Sequence, residues 1–140
     1  MKNNFGLLIV IALFAALGCR SQQPTTLNIW EGRDMNVINE VFRGMLPCAD
    51  CKKTDFRLSL NTDMTWQSHT LYIGKTDKAL NESGRYNVTE DGVLILHKND
   101  EVVKRLRIIP RGLLMLDSEG KEITGSMADK YILIPISKGK

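Results

Sequence analysis

The sequence predicts an all-β fold, an antiparallel meander closed as a barrel or folded as a sandwich. Apolar and polar residues alternate with a period of two through most of the chain after residue 40, which is typical of half-buried strands. Polar turn residues recur at a spacing of roughly 8 to 12 residues. The segments between strands leave almost no room for crossover helices, which disfavours a parallel α/β sheet.

The strands can be placed in order along the chain. Residues 36–42 are compatible with a short helix or a first strand, and we favour a strand that begins near Glu40. Seven further strands are predicted at 56–60, 64–73, 85–89, 93–97, 102–109, 113–116 and 131–136. Turn residues separate them at 61–63, 90–92, 99–100, 110–112 and 117–120. Counted together, they predict about eight strands with at most one short helix.

The N-terminus has the pattern of an export signal. Lys2 precedes an apolar run at 5–17, which is shorter than the roughly 20 residues that a membrane span requires. The run ends in Gly18-Cys19 and resembles a bacterial lipobox, with Ala16 where leucine is usual. The alternative is an ordinary signal peptide cut near Gly18. We therefore predict a signal peptide at 1–19 with Cys19 lipidated, a tether at 20–35 and a barrel domain at 36–140.

Localisation and partners follow from the leader and the charge. Residues 20–23 lack the aspartate that commonly marks inner-membrane retention, so we predict an outer-membrane anchor with the domain facing the periplasm. The net charge of +3 is too small to indicate a nucleic-acid partner. The basic cluster at 104–107 is interpreted as the solvent face of a strand. We expect a monomer that contacts the membrane through its lipid.

Cys48 and Cys51 are the candidate functional residues, and they allow three interpretations. Paired cysteines of an exported domain usually oxidise, which favours a disulfide. Two thiolates at this spacing can also bind a soft metal or sense redox state. A dithiol oxidoreductase would place the pair at a helix N-terminus in a βαβ unit, which the strand pattern disfavours. Asp50, between the cysteines, is expected to accept turn hydrogen bonds.

The metal interpretation favours copper over zinc. A structural zinc site usually has four protein ligands, and the chain has no second cysteine pair. Met45, Met64, Met115, His69 and His97 could assist, but none lies at ligand spacing beside the pair. We expect Met64 and Met115 to be core and the histidines to lie on a surface. We predict an exposed, readily reduced disulfide whose thiols bind Cu(I) better than Zn.

Residues 42–51, Phe-Arg-Gly-Met-Leu-Pro-Cys-Ala-Asp-Cys, strongly resemble the N-terminal domain of the NlpE family of outer-membrane lipoproteins. Weaker similarity extends the match over 41–134. Supporting segments lie at 56–60, 63–66, 83–86, 93–96 and 114–117. The resemblance implies a small lipocalin-like barrel, an envelope anchor, copper resistance, and sensing of surface or envelope stress through a sensor or lipoprotein partner.

Two departures from the family pattern affect this hypothesis. Lys53-Thr54 stands where the family usually has Gly-Ile, so the exit from the cysteine motif is expected to differ. The chain ends at Lys140, so we do not expect the second, OB-like domain of the longest members. The resulting hypothesis is a non-enzymatic envelope lipoprotein that responds to copper or redox state. Its alternative is a lipocalin-like carrier of a small apolar ligand with a purely structural disulfide.

Overall fold

A computed structural model describes residues 36–136 of the chain. In this part, eight strands form a closed barrel in which each strand pairs antiparallel with the next, and the last pairs with the first. The strands are β1 (Val41–Leu46), β2 (Lys53–Leu60), β3 (Thr65–Ile73), β4 (Leu80–Val88), β5 (Val93–Lys98), β6 (Glu101–Ile109), β7 (Gly112–Met115) and β8 (Ile132–Ile136). A 3₁₀ helix at Ala128–Tyr131 precedes β8. The predicted eight-stranded meander is confirmed.

The antiparallel order places successive connections at alternate ends of the barrel. The β1–β2 loop (47–52), the β3–β4 loop (74–79), the β5–β6 turn and the β7–β8 connection share one end, which we call the disulfide end. The start of β1 lies at the opposite end. No helix within residues 36–136 is long and apolar enough to cross a membrane. The predicted signal peptide, Cys19 and the predicted tether lie outside the described residues.

The barrel interior is a packed apolar core. The largest side chains with almost no exposure are Trp66, Phe42, Phe56, Leu58, Leu60, Leu94, Leu96, Leu106, Leu113 and Leu133. They occupy alternate positions of their strands, as the period-two pattern predicts. Met64 and Met115 pack against this core, which agrees with their predicted place.

The beginning of β4 differs from the prediction. The strand starts at Leu80 instead of residue 85, and its extra residues pair with β3 through Ser68↔Glu82 and Trp66↔Gly84. The inward positions there carry a carboxylate and a glycine instead of apolar side chains. Backbone pairing with β3 therefore stabilises the first half of β4, which the alternation of apolar residues does not reveal.

Lys104 also lies on the face opposite to the one predicted. Its register partner on β5 is Leu96, a fully buried core residue, and directly opposed residues share a face. The Lys104 ammonium nitrogen lies 5.4 Å from the centroid of the Phe56 ring. This cation–π contact compensates part of the cost of turning a charge inward. Arg105 and Arg107 occupy the intervening outward positions, as predicted.

Candidate functional site at the disulfide end

The predicted cysteine pair lies in the β1–β2 loop at the disulfide end. Cys48 and Cys51 form a disulfide across a Cα–Cα distance of 5.3 Å, as the first interpretation predicts. The loop position between two strands agrees with the prediction. Both cysteines are half-buried instead of fully exposed. They are half-buried because the β1–β2 loop contacts the end of β3 and the β3–β4 loop.

Two contacts bind the cysteine loop to the end of β3. The backbone nitrogen of Lys52 donates a hydrogen bond of 2.9 Å to the carbonyl oxygen of Ile73. The Lys75 ammonium forms an ion pair with Asp50 Oδ2. The hydrogen bond and the charge of Lys75 hold the pKa of Asp50 below its usual value. Asp50 is therefore an ion-pair partner as well as a turn residue, and the sequence offered no signal for Lys75, 25 residues away.

Ligand-type atoms converge around the disulfide. Among the described His, Cys, Asp and Glu side chains, Cys48, Asp50 and Cys51 form a group whose ligand atoms lie within 4.8 Å of one another. Asp50 Oδ1 lies 3.6 Å from Cys48 Sγ. On the other side, Cys51 Sγ lies 3.4 Å from the carbonyl oxygen of Lys53 and 3.9 Å from Thr54 Oγ1. The pair thus has one carboxylate neighbour and a polar rim.

The two histidines do not join this group. A ring nitrogen of His69 lies 2.9 Å from Asn81 Oδ1, and one of His97 lies 2.7 Å from Asn87 Oδ1. Both pairs are on the barrel surface, in agreement with the prediction. Met45 is exposed on β1. The donors that the structure brings together are therefore two sulfur atoms and one carboxylate.

The barrel interior bears on the carrier alternative. Leu58, Leu60, Trp66, Leu94 and Leu96 are each at most 1% exposed and fill the interior. A concave region of about 630 Å³ in the described part lies instead on the outer face of β2–β4, where polar side chains such as Arg57, Gln67, His69 and Asn81 line it. Ligand-carrying barrels usually hold apolar ligands in an apolar internal cavity. The filled interior counts against an apolar ligand inside this barrel.

Comparison with known proteins agrees with this geometry. The family model described as the NlpE N-terminal domain matches residues 42–126. The chain belongs to the NlpE N-terminal domain family. That match includes the cysteine loop and Lys75, so the candidate site lies inside the NlpE-like region.

Individual relatives agree with the family assignment. The chain is 29% identical over 119 residues to Lipoprotein NlpE of Escherichia coli (strain K12), covering 83% of this chain and 50% of that protein. A crystal structure of a candidate lipoprotein from Shewanella oneidensis has a TM-score of 0.60 at 31% identity and covers 69% of this chain and 86% of that one.

The crystal structure of the Cpx pathway activator NlpE from Escherichia coli has a TM-score of 0.55 at 32% identity. The matched region covers 62% of this chain and 46% of that one. The chain spans about half the length of the Escherichia coli NlpE proteins that it matches. The family model describes the matched region as the NlpE N-terminal domain.

Proposed function

We propose that this chain is a non-enzymatic, lipid-anchored envelope protein whose Cys48–Cys51 pair responds to copper and to redox state. The observation that carries the proposal is the convergence of both sulfur atoms and the Asp50 carboxylate within 4.8 Å in a half-exposed loop. The family assignment supports an envelope location, since the relatives are described as lipoproteins.

The chemistry of the pair suits a switch between two states. Reduction takes two electrons and two protons from a dithiol donor, which is itself oxidised to a disulfide, and leaves Cys48 and Cys51 as thiols. The thiols lose their protons when a metal binds. Soft thiolates select Cu(I), whereas structural zinc usually requires four protein ligands, and the described side chains here supply two sulfurs and one carboxylate.

The barrel topology supports a sensing role for the disulfide end. Strand β1, the first strand of the described part, begins at the end of the barrel opposite the cysteine loop. We infer that an envelope partner contacts the disulfide end. One relative is described as a Cpx pathway activator, and we infer that this chain likewise acts on an envelope-stress pathway through a sensor or lipoprotein partner.

The deciding experiment is a competition titration of the reduced full chain, purified in detergent, against a Cu(I) chelator. The wild type is expected to bind Cu(I) much more tightly than Cys48→Ser, because one thiolate is lost. His69→Ala is the matched control and should keep the wild-type affinity, since His69 lies outside the cysteine group. Equal Cu(I) affinity in Cys48→Ser and the wild type would remove the pair from any metal role and leave a structural disulfide.

Signalling needs a separate measurement in cells. An envelope-stress reporter strain that carries this chain should respond to copper, and the response should fall when Cys48→Ser replaces the wild type. The reporter response of a strain lacking the chain gives the baseline. An unchanged copper response with Cys48→Ser would contradict the proposed sensing role of the pair.

A further inference from the structure

Asp50 presents its two carboxylate oxygens to different partners. Oδ1 lies 3.6 Å from Cys48 Sγ, on the side of the cysteine pair. Oδ2 is engaged by the Lys75 ammonium. The side chains of Lys75 and Asp50 are 52% and 65% exposed, so the ion pair is open to solvent. Asp50 therefore stands between the thiol site and a fixed positive charge.

The fold positions Lys75 beside the cysteine loop. The backbone nitrogen of Lys75 donates a 3.1 Å hydrogen bond to the carbonyl oxygen of Tyr72, which turns the chain at the end of β3. Gly74 completes that turn with a φ of +83°, and the aliphatic stem of Lys52 covers it, since a Cβ there would lie 3.1 Å from Lys52 Cγ. A side chain at position 74 would disturb the contact between the two loops. The contacts of Lys52 and Lys75 thus belong to one interface.

A charge held at this place discriminates between metal ions by their valence. The Coulomb energy between a fixed ammonium and a bound metal is proportional to the charge of the metal, so a divalent ion is opposed twice as strongly as a monovalent ion. The same ammonium occupies an oxygen of Asp50, which is the donor that a borderline ion such as Zn²⁺ accepts and that soft Cu(I) does not need.

We propose that Lys75 is a specificity-determining residue that keeps the reduced Cys48–Cys51 site selective for Cu(I) by competing with divalent metals for Asp50. The inference rests on the proposed metal role of the cysteine pair and adds a residue from another loop to it. Lys75 lowers the affinity for Zn²⁺ relative to the affinity for Cu(I). The pair itself remains the source of Cu(I) binding.

The test compares Zn²⁺ and Cu(I) dissociation constants of the reduced full chain in detergent, each measured by competition with a chelator. Both metals displace the same two thiol protons, so this release cancels when their affinities are compared. A unit charge about 5 Å from the metal in water changes the affinity of a divalent ion relative to that of a monovalent ion by about fourfold. Lys75→Met is therefore expected to shift the ratio of Zn²⁺ affinity to Cu(I) affinity about fourfold towards Zn²⁺. High salt should reduce this shift.

Two control variants distinguish the effect of the charge at position 75 from the effect of the net charge of the protein. Lys75→Arg keeps the cation and should retain the wild-type preference. Lys78→Met removes another exposed lysine of the same loop, one that forms no ion pair within residues 36–136, and should give smaller shifts than Lys75→Met. Circular dichroism checks that Lys75→Met is folded, which we expect because exposed ion pairs contribute little to stability.

The outcomes distinguish this inference from the proposed function. Equal changes for Zn²⁺ and Cu(I) in Lys75→Met, or no change in either, would overturn the role of Lys75. If Cu(I) affinity still requires Cys48 in that case, the proposed function stands alone. If Cys48→Ser binds Cu(I) as tightly as the wild type, the proposed function itself fails.

Discussion

The indole nitrogen of Trp66 donates a 3.1 Å hydrogen bond to the carbonyl oxygen of His97, directly over the inward face of Gly84. A Cβ at Gly84 would lie 1.9 Å from that carbonyl oxygen and 2.9 Å from the indole nitrogen. No flexible side-chain end could move aside, because the nearest atom belongs to the backbone. Trp66, the largest core residue, can therefore pack in this position only if residue 84 is glycine.

Gly84→Ala is expected to lower the free energy of unfolding by about 2 to 4 kcal/mol. Overpacking accounts for most of the loss, and the strained Trp66 hydrogen bond adds to it. Urea unfolding of the mature chain measures the effect. Ser83→Ala, on the exposed outer face of the same strand, is the control and should change stability by less than about 0.5 kcal/mol. A tolerated Gly84→Ala would show that β4 is not packed against Trp66 as described.

The pH dependence of stability should report on Asp55. Arg43 donates two hydrogen bonds of 2.8 Å to its carboxylate oxygens. These bonds, with burial opposing them, hold the pKa of Asp55 below its usual value. A carboxyl whose pKa is lower in the folded state adds stability above its unfolded pKa of about 3.9, and this contribution is lost as the pH falls through the folded pKa.

Asp55→Asn should therefore destabilise the barrel at pH 7, and the difference from the wild type should shrink under strongly acidic conditions. Urea midpoints measured across the acidic range test this. Asp77→Asn, an exposed carboxylate in the 74–79 loop, is the control and should show a smaller difference at every pH. A deficit in Asp55→Asn that stays constant with pH would mean that the ionised carboxylate is not the stabilising form.

The sequence predicts the strands whose inward positions all carry apolar residues. Alternation revealed the strands whose inward residues are apolar, such as Phe56 and Leu58 on β2. It missed the first half of β4, where Glu82 and Gly84 face inward and the ladder to β3 supplies the order. Lys104 lies in the same alternating set as Leu106 and Ile108, which indicates an inward position. The prediction placed it on the solvent face because its side chain is charged.

The candidate site also has a part that the sequence predicts and a part that only the structure reveals. The spacing of Cys48 and Cys51 is local, so the pair and its disulfide were predictable from the motif. Lys75 reaches Asp50 only because two connections share one end of the barrel, and that is a property of the strand order. The Arg43–Asp55 pair likewise depends on the β1–β2 register. Contacts of this kind require the topology, which residue patterns alone do not fix.

Ser68 is a buried polar residue whose hydroxyl lacks a hydrogen-bond partner among the described residues. Its side chain is 95% buried, at 5% exposure, and Oγ has no hydrogen-bond partner within residues 36–136. Removing an unsatisfied buried hydroxyl should be neutral or stabilising by up to about 1 kcal/mol. Ser68→Ala is measured by urea unfolding beside Leu58→Ala, its register partner, which should cost about 2 to 5 kcal/mol. A clear loss in Ser68→Ala would mean that the hydroxyl has a buried partner such as water.

Cys19 remains a predicted lipid attachment site outside the described residues. Cys19→Ser should abolish acylation, and the protein should leave the membrane fraction because its anchor is lost. Mass spectrometry of the N-terminal peptide and membrane fractionation measure the two effects. Cys48→Ser is the matched control and should remain in the membrane fraction. Normal processing and membrane retention of Cys19→Ser would contradict the lipoprotein assignment.

The disulfide itself should contribute little to the stability of the barrel. It joins residues only three positions apart, and closing so small a loop removes unfolded-state entropy worth about 2 kcal/mol at most. The loop also keeps its backbone hydrogen bond from Lys52 to Ile73. The double variant Cys48→Ser/Cys51→Ser is therefore expected to retain the β-sheet circular dichroism spectrum and to lose about 2 kcal/mol or less.

Reductant provides the matched comparison for that variant. Dithiothreitol should lower the urea midpoint of the wild type towards that of the double variant and leave the variant unchanged. Such a result means that reduction frees the thiols without unfolding the barrel, which a reversible copper or redox response requires. If reduction unfolded the wild type, the Cys48–Cys51 bond would be a structural requirement, and the pair could not act as a switch in a folded protein.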